Sequence, residues 1–185
     1  MTYEFADGYK IRDQSGLYFM TFTVEGWVDL FTRELYRNIF VKNMIYCQKE
    51  KSLRVGAFVV MSNHAHVIWQ SLTGKLSDTI RDFKSYSTKR FIEAIHKMGE
   101  SRRDWLLHMF KYYAKGTNQN KDYKIWTNDN HPEEITSEQF LRVKLNYIHE
   151  NPVRTGWVKE PGDYIYSSAS NYVNGKGIME IDYLF

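Results

Sequence analysis

Hydrophobic and polar residues alternate in the N-terminal half of the chain in a way that predicts three strands. Leu17–Val24, with the sequence LYFMTFTV, alternates aromatic and polar side chains, and Val55–Met61 forms a second, largely apolar run. A third run, His64–Gln70, follows Ser62 and Asn63, which are residue types typical of turns. Because so few residues separate the last two runs, we expect them to pair as an antiparallel hairpin.

Apolar residues recur at helical spacing in two longer segments. The first begins at Asp29 or Thr32 and continues to about Lys49, and the second runs from Lys75 to about Met98. The side chains expected on the inner faces are Leu35, Ile39, Val41, Ile45 and Tyr46 in the first helix, and Leu76, Ile80, Phe83, Ser87, Phe91 and Ile95 in the second.

A third long helix, Thr136–Asn151, has recognisable start and stop signals. Thr136 and Gln139 match a capping box, in which two side chains satisfy free amides of the first turn. Pro152 disfavours the helical conformation at Asn151, so we expect the helix to end there. The stripe expected to be buried consists of Leu141, Leu145 and Ile148.

The stretch between these helices, residues 99–130, predicts a short helix around Trp105–Tyr113, a polar loop and a strand at Tyr123–Thr127. Together the elements predict an α+β fold, in which a small antiparallel sheet packs against helices. A chain of 185 residues, of which 43% are hydrophobic and 16% aromatic, is long and apolar enough for one core. We therefore expect a single domain that spans residues 1–185.

The composition narrows the class of protein. The formal charge of +3 is compatible with nucleic-acid binding but does not by itself indicate it. The single cysteine, Cys47, excludes an internal disulfide and a zinc site built from several thiolates, and it fits a reducing cytoplasm. The N-terminus lacks the apolar core of a signal peptide, and the apolar runs are too short to span a bilayer. We therefore expect a soluble, cytoplasmic protein without a membrane partner.

Two histidines, His64 and His66, interrupt the apolar run of the third strand. Side chains alternate across a strand, so both imidazoles point to the same face. They are either half-buried residues with local hydrogen bonds, ligands of a metal, or contacts to a phosphate. Two histidines alone do not complete a metal site, so a third ligand has to come from elsewhere in the chain. With oxygen donors and open positions, Mg²⁺ or Mn²⁺ could be held there against a phosphate.

The third long helix carries a second group of candidate residues. Tyr147 and Asn151 are spaced by one turn and project from the same face, with Lys144 also on that side. Tyr147 is either a nucleophile, which needs a metal-activated phosphate or nearby cations, or a tyrosine at the edge of the core. Asn151 is either a functional residue or the residue that closes the helix.

Basic residues cluster on the helix from Lys75 to Met98. Arg81, Lys84, Lys89 and Arg90 occupy positions outside its apolar stripe. Such a row either follows a phosphate backbone or forms a solvated helix face, and the sequence favours neither.

The motifs taken together resemble the single-tyrosine HUH transposases, and among these the transposase-like proteins associated with repetitive extragenic palindromes in bacteria. The resemblance rests on MSNHAHVI, on YIHENPVRTGWV some eighty residues later, on DYIYSSASNY and on the strand YFMTFTV, which fall in that family's order. It extends over residues 15–173, with short extensions at both ends. It implies the ferredoxin-like, HUH-endonuclease type of α+β fold.

The resemblance also implies a site and a reaction. His64 and His66 match the histidine pair that binds a catalytic divalent cation, Mg²⁺ or Mn²⁺, and Tyr147 matches the nucleophile. Asn151 lies where the family places a third polar ligand, often Gln, and Ala65 replaces a bulkier apolar residue. The reaction implied is attack of the tyrosine on single-stranded DNA, in transposition or on palindromic hairpins, which gives a 5′-phosphotyrosine and a free 3′-hydroxyl. The residues expected to contact DNA are Lys144, Arg81, Lys84, Lys89, Arg90 and Arg154.

Several other functions share parts of this pattern. A replication initiator or conjugative relaxase of the wider HUH class uses similar chemistry. A non-catalytic DNA-hairpin-binding regulator derived from a transposase would keep the binding surface without the reaction. A metal-dependent nuclease that activates water, and an α+β RNA-binding module, complete the alternatives. The protein acts in these schemes either as a monomer or as a homodimer.

Overall fold

The structure is a computed structural model that describes residues 10–115 and 122–185. Its strands are β1 (Leu17–Thr23), β2 (Leu53–Val60), β3 (His64–Ser71) and β4 (Glu133–Glu134). Its helices are α1 (Glu34–Lys51), α2 (Leu76–Lys97), α3 (Arg103–Lys115), α4 (Glu138–Arg154) and α5 (Ala169–Asn174). Short 3₁₀ turns lie at Glu25–Trp27, Leu30–Thr32 and Pro161–Asp163. The polar loop expected near residues 116–121 lies outside the described residues.

The strands form one antiparallel sheet in the order β2-β3-β1-β4. β2 and β3 form the predicted hairpin, closed by the Met61 amide, which donates to the His64 carbonyl over 2.8 Å. β1 lies between β3 and β4, and its register sets Thr21 opposite His66 and Thr23 opposite His64. The α+β fold with an antiparallel sheet, predicted from the sequence, is confirmed.

The two faces of the sheet are covered by different helices. On one face Phe22 packs against Phe40 of α1, Phe83 of α2 and Trp69 of β3, with ring centroids 5.0 to 6.2 Å apart. On the other face Phe19 lies 5.9 Å from the ring of Tyr147 of α4. Since paired residues of neighbouring strands share a face, the two histidines lie on the α4 side.

The inner face predicted for α1 is wrong by about one residue. Of the predicted stripe only Val41 is buried; Leu35, Ile39 and Ile45 are partly buried, and Tyr46 is exposed. The buried side chains of α1 are instead Tyr36, Phe40, Val41, Asn43, Met44 and Cys47. The large aromatic rings of Tyr36 and Phe40 take the interior positions, after the buried Leu30 and Phe31 of the preceding turn.

The other helix predictions in this region are closer. In α2 all six residues of the predicted stripe are buried, and α3 extends the predicted short helix at both ends. The strand predicted at Tyr123–Thr127 is wrong, because only Trp126 forms a bridge, to Val24. The segment is instead held by α2 and α3: Trp126 donates through Nε1 to Ser87 over 2.9 Å, and the Lys124 amide donates to the Phe110 carbonyl.

Both predicted ends of α4 are wrong. The N-cap is Ser137 rather than Thr136, because the Ser137 hydroxyl accepts the Phe140 amide over 3.2 Å. The helix also continues beyond Asn151 to Arg154, with Pro152 inside it and buried. A proline this close to the C-terminus removes one helical hydrogen bond, and burial of its ring offsets that loss. The continuation keeps Asn151 and Arg154 on the same helical backbone as Tyr147.

The C-terminal residues dock along β2, which is an edge strand. The Asp182 amide donates to the Val55 carbonyl, and the Val55 amide donates to the Asp182 carboxylate, each over 2.9 Å. Gly56 allows the chain to come close, since a Cβ there would lie 2.6 Å from Leu184 Cδ2. This docking covers hydrogen-bonding groups that an edge strand would otherwise expose. Within residues 10–115 and 122–185, no helix combines the length and the apolar character needed to cross a membrane.

Candidate active site

The two histidine side chains lie next to each other on the α4 face of the sheet. Their ring centroids are 4.7 Å apart, and the rings are inclined by 68°. His66 is only 6% exposed, whereas His64 at the start of β3 is partly exposed. The alternation along the strand thus produces the pair that the sequence predicts.

The ring of His66 is fixed by its neighbours on β1. Its Nδ1 lies 2.9 Å from Thr21 Oγ1, and the ring stacks on Phe19 at a centroid distance of 5.4 Å. Burial lowers the pKa of His66 to about 3, helped by the repulsion that a protonated His64 would exert and by the charge of Lys144, so the imidazole is neutral at physiological pH. Its Nε2 is buried and has no hydrogen-bond partner among the described residues. A neutral imidazole with one nitrogen held and the other unpartnered fits a metal ligand.

The tautomer of His64 follows from its contacts with Asn63. Asn63 donates through Nδ2 to the Trp27 carbonyl over 3.4 Å and to Asp29 Oδ1 over 3.3 Å, and both of these atoms can only accept. The Asn63 Oδ1 must therefore be the acceptor in its 2.8 Å contact with His64 Nδ1. Nδ1 of His64 carries the proton, which leaves the lone pair on Nε2. Burial lowers the pKa of His64 as well, which favours the same neutral form.

Tyr147 of α4 lies over this pair. Its ring centroid is 5.1 Å from that of His66, with the rings inclined by 65°. Tyr147 is 36% exposed, although its ring also contacts those of Phe19 and His66. The guanidinium of Arg154 lies 5.6 Å from the centre of the tyrosine ring, two turns further along the helix. The structure therefore brings together His64, His66 and Tyr147, which are about eighty residues apart in sequence.

Lys144 lies on the same side of α4, where it is bound to an acidic residue of the sheet edge. Its Nζ is 2.7 Å from Glu133 Oε1 and 4.3 Å from the centre of the Phe19 ring. Glu133 belongs to β4 and pairs with Phe19, which places its carboxylate on the α4 face. Part of the positive charge of Lys144 is thus already neutralised in the free protein.

The side chains of this site supply only part of the ligands that a divalent cation needs. Within the described ranges no group of three or more His, Cys, Asp or Glu side chains could hold a metal ion. A cation bound by His64 and His66 therefore needs other oxygen donors. Asn151, one turn after Tyr147 on the same helix, has a suitable amide oxygen, and phosphate and water oxygens would supply the remainder. The two neutral imidazoles with available Nε2 atoms fit such an ion.

The basic residues predicted to contact DNA lie on opposite sides of the sheet. Lys144 and Arg154 are next to Tyr147, as described above. Arg81, Lys84 and Lys89 line a groove of about 1420 Å³ between α2 and residues 122–130. Arg90 instead pairs with Glu93 on another side of α2.

Two of the groove residues already have partners within the protein. Lys84 donates through Nζ to the carbonyls of Thr127 and Asn128 over 2.8 and 3.2 Å, and burial lowers the pKa of this amine to about 8. Arg81 pairs with Asp78 and Asp82. Lys84 therefore holds residues 127–128 against α2, and a role in DNA contact stays a prediction.

The sequence analysis missed several residues that lie in the site. Phe19, Thr21 and Glu133 reach the histidines and Lys144 only through the register of β1 with its neighbours. Asn63 is a turn residue by type, and its position directly before His64 was the available signal. Trp27 reaches the site through the turn that follows β1.

The chain is similar to known proteins in sequence and in fold. No protein-family model matches the chain. The REP-associated tyrosine transposase of Escherichia coli (strain K12) is 25% identical over 140 residues, which cover 76% of this chain and 68% of that protein. The solved structure of a REP-associated tyrosine transposase bound to a REP hairpin superposes with a TM-score of 0.59 and 22% identity, covering 96% of this chain and 90% of the other.

The chain resembles the REP-associated tyrosine transposases in sequence and in fold. The resemblance inferred from the motifs is thereby confirmed. At 22% identity the structural match supports the fold alone, and it agrees with the four-stranded antiparallel sheet and the surrounding helices described above.

Proposed function

We propose that this protein is a transposase-like enzyme that cuts and rejoins single-stranded DNA, with Tyr147 as the nucleophile. The observation that carries the proposal is the packing of the Tyr147 ring 5.1 Å from that of His66, whose buried Nε2 has no hydrogen-bond partner within residues 10–115 and 122–185. The partly exposed Tyr147, two neutral imidazoles and the Arg154 guanidinium lie close together on the α4 side of the sheet. This is the set of groups that a tyrosine-dependent phosphodiester transfer requires.

The reaction proposed for Tyr147 is an in-line displacement at phosphorus. The phenol oxygen forms a bond to the phosphorus of a DNA phosphodiester, and the bond from phosphorus to the 3′ oxygen breaks. The phenol proton leaves to solvent, and the departing 3′ oxygen takes up a proton to become a hydroxyl. The DNA on the 3′ side of the break then stays linked to Tyr147 through its 5′-phosphate. Attack by a 3′-hydroxyl on this phosphotyrosine reverses the step and joins strands.

The residues around the phenol favour this attack electrostatically. A phenol is almost entirely protonated at neutral pH, so its reactivity depends on nearby positive charge. Arg154 lies 5.6 Å from the tyrosine ring and can pair with a phosphate oxygen, and Lys144 is on the same helical face. The pair with Glu133 keeps Lys144 beside Phe19, from where its amine can turn to an incoming phosphate.

His64, His66 and Asn151 would hold a divalent cation, Mg²⁺ or Mn²⁺, in this site. When bound, the cation supplies Lewis-acid polarisation of a phosphate oxygen. The contribution of the chain itself is to present both imidazoles in the neutral form. Thr21 and Asn63 orient the two rings through their Nδ1 atoms.

The substrate we propose is DNA that combines a hairpin with a single-stranded segment. The similarity to a protein solved with a REP hairpin supports this class of partner. Arg154 and Lys144 would contact the backbone near the scissile phosphate. The groove lined by Arg81, Lys84 and Lys89 offers a second basic surface on the α2 side of the sheet.

The experiment that tests the proposal is covalent capture. The full chain is mixed with single-stranded hairpin DNA from the flank of its own gene and Mn²⁺, and the products are separated on a denaturing gel. We expect a protein–DNA adduct that a chelator prevents. Tyr147→Phe should abolish the adduct and keep hairpin affinity, whereas Tyr112→Phe, at an exposed tyrosine of α3, should still form it.

Three results would contradict the proposal. An adduct formed by Tyr147→Phe would identify another nucleophile. Strand cleavage without any adduct would indicate a nuclease that uses water. Hairpin binding by the wild-type chain without cleavage or adduct would favour the non-catalytic, regulatory function instead.

A further inference from the structure

Trp27 is a large apolar side chain that the fold leaves exposed at the edge of the candidate active site. It is 66% exposed, and its ring centroid lies 6.3 Å from that of His64 with the rings inclined by 71°. Indole rings generally contribute to a core or an interface by burying their surface. Trp27 lies beside a histidine that faces the proposed phosphate site, and its exposed ring is suited to a ligand with an apolar face.

The backbone holds Trp27 in a conformation that a bulky residue rarely adopts. Its φ is 55°, in the left-handed region, and the preceding Gly26 has a φ of 64°. Several hydrogen bonds fix the turn: the Trp27 amide donates to the Val24 carbonyl over 3.0 Å, and Asn63 donates to the Trp27 carbonyl. Strain of this kind persists only where the surroundings over-determine it, and it is concentrated at functional sites.

The turn is also fixed from the side of α3. A Cβ at Gly26 would lie 2.4 Å from the hydroxyl of Tyr113, so the backbone passes directly against that residue. The Glu25 amide donates to the Ile125 carbonyl over 2.7 Å. Hydrogen bonds and the close approach of Tyr113 therefore hold the turn that presents the indole to solvent.

We infer that Trp27 is a stacking platform for a DNA base next to the phosphate at His64 and His66. This inference rests on the proposed function and adds a residue that positions the substrate. Bases of single-stranded DNA offer an apolar face to aromatic side chains whatever their sequence. The Trp27 ring is 6.3 Å from the His64 ring, so a base stacked on it would belong to a nucleotide close to a phosphate held there.

Asn63 connects the stacking position at Trp27 with the histidine pair. One Asn63 amide group bonds both the Trp27 carbonyl and His64 Nδ1. A base stacked on Trp27 would thus set the register of the strand relative to the imidazole pair, which decides the phosphate that Tyr147 meets.

The test compares the removal of the ring with the removal of the base. The probe is a hairpin oligonucleotide from the flank of the gene with a single-stranded tail, in a series in which one abasic residue is moved along the tail. Affinity is measured at fixed salt, because backbone contacts make it salt-dependent. The variants are Trp27→Ala, Trp27→Phe and, as a matched exposed tryptophan on α3, Trp105→Ala.

We expect Trp27→Ala to weaken binding by about 5- to 150-fold, the range that loss of one base–aromatic stack gives. Trp27→Phe should keep most of the affinity, and Trp105→Ala should bind like the wild type. One abasic position should weaken the wild type by a similar factor and have no further effect in Trp27→Ala. Trp27→Gly, which suits the left-handed backbone, removes the ring without strain and should behave like Trp27→Ala.

The inference is overturned if Trp27→Ala and Trp27→Gly bind the probe like the wild type. It is also overturned if every abasic penalty is the same in wild type and variant, because the ring then contacts no particular base. Adduct formation by the wild-type chain reports separately on the proposed function. An adduct with unchanged binding by the Trp27 variants removes only this inference, whereas a wild type that neither binds nor cleaves removes both.

Discussion

The hydroxyl of Thr21 provides a sensitive test of the histidine site, because Thr21→Val removes it and leaves the shape of the side chain almost unchanged. In the structure this hydroxyl is 2.9 Å from His66 Nδ1, and Nε2 of the same ring has no partner among the described residues. The variant would therefore leave both nitrogens of a buried imidazole without a partner from the protein.

The expected magnitude follows from the cost of an unsatisfied buried polar group, about 1–3 kcal/mol. The higher β-propensity of valine offsets only part of this, since that whole scale spans about 1 kcal/mol. We therefore expect the free energy of unfolding of Thr21→Val to fall by about 1–2 kcal/mol. Affinity for Mn²⁺ should fall by about 10- to 100-fold, as for loss of a partner that orients a metal ligand.

The assay pairs this variant with Thr21→Ser, which keeps the hydroxyl and loses a methyl group. Urea unfolding without metal measures stability, and calorimetric titration of the folded chain with Mn²⁺ measures affinity. Thr21→Ser should bind Mn²⁺ close to the wild-type value. Equal Mn²⁺ affinity of the Val and Ser variants would refute the reasoning, because the orientation of His66 would then not depend on the hydroxyl.

Two further predictions concern polar contacts. Asn63→Ala removes the acceptor of His64 Nδ1, so Mn²⁺ affinity in the same titration should fall about 10- to 100-fold; a wild-type isotherm would contradict this. For buried Glu100, burial opposes ionisation, but hydrogen bonds from the Arg102 amide and Tyr36 and the charges of Arg102 and Arg33 lower its pKa below 4.5. The stabilisation by ionised Glu100 is therefore present above pH 4.5 and lost on acidification. In urea unfolding, the difference in free energy of unfolding between wild type and Glu100→Gln should shrink toward low pH. A difference that stays constant from neutral to acid pH would contradict this.

The sequence predicts most of the architecture where pattern and packing coincide. The stripe of α2 was predicted residue by residue, because its apolar residues follow the helical period without competition. In α1 the apolar residues are spread around the helix, and contacts with Phe22 and Trp126 decide that Phe40 faces inward. Such a choice depends on tertiary contacts and cannot be derived from the period alone.

The ends of α4 show a second reason why the sequence predicts the structure incompletely. Thr136 and Ser137 are both favourable N-cap residues by type, and the backbone decides which hydroxyl meets the Phe140 amide. Pro152 is a stop signal by its local chemistry, yet it is buried within α4. Packing has overridden the local preference there, and as a result Arg154 lies near Tyr147.

The candidate site also combines residues that the sequence predicts with residues that only tertiary contacts bring there. The shared face of His64 and His66 follows from strand alternation, and Tyr147 was found through its helical position and the family resemblance. Their convergence needs α4 to cross the sheet at one place, which sequence spacing does not specify. Thr21 and Trp27 depend on the pairing of β1 with β3 and on a left-handed turn, and neither is marked in the sequence.

The central claim is that Tyr147 forms a covalent bond to DNA, and mass spectrometry of the digested adduct tests it most directly. After reaction with the hairpin probe and Mn²⁺, protease and nuclease digestion would leave a short nucleotide on the reacting peptide. We predict a phosphate-linked nucleotide on Tyr147, in the peptide from α4. Cleaved DNA with no modified peptide, or a nucleotide attached to a different residue, would contradict the account.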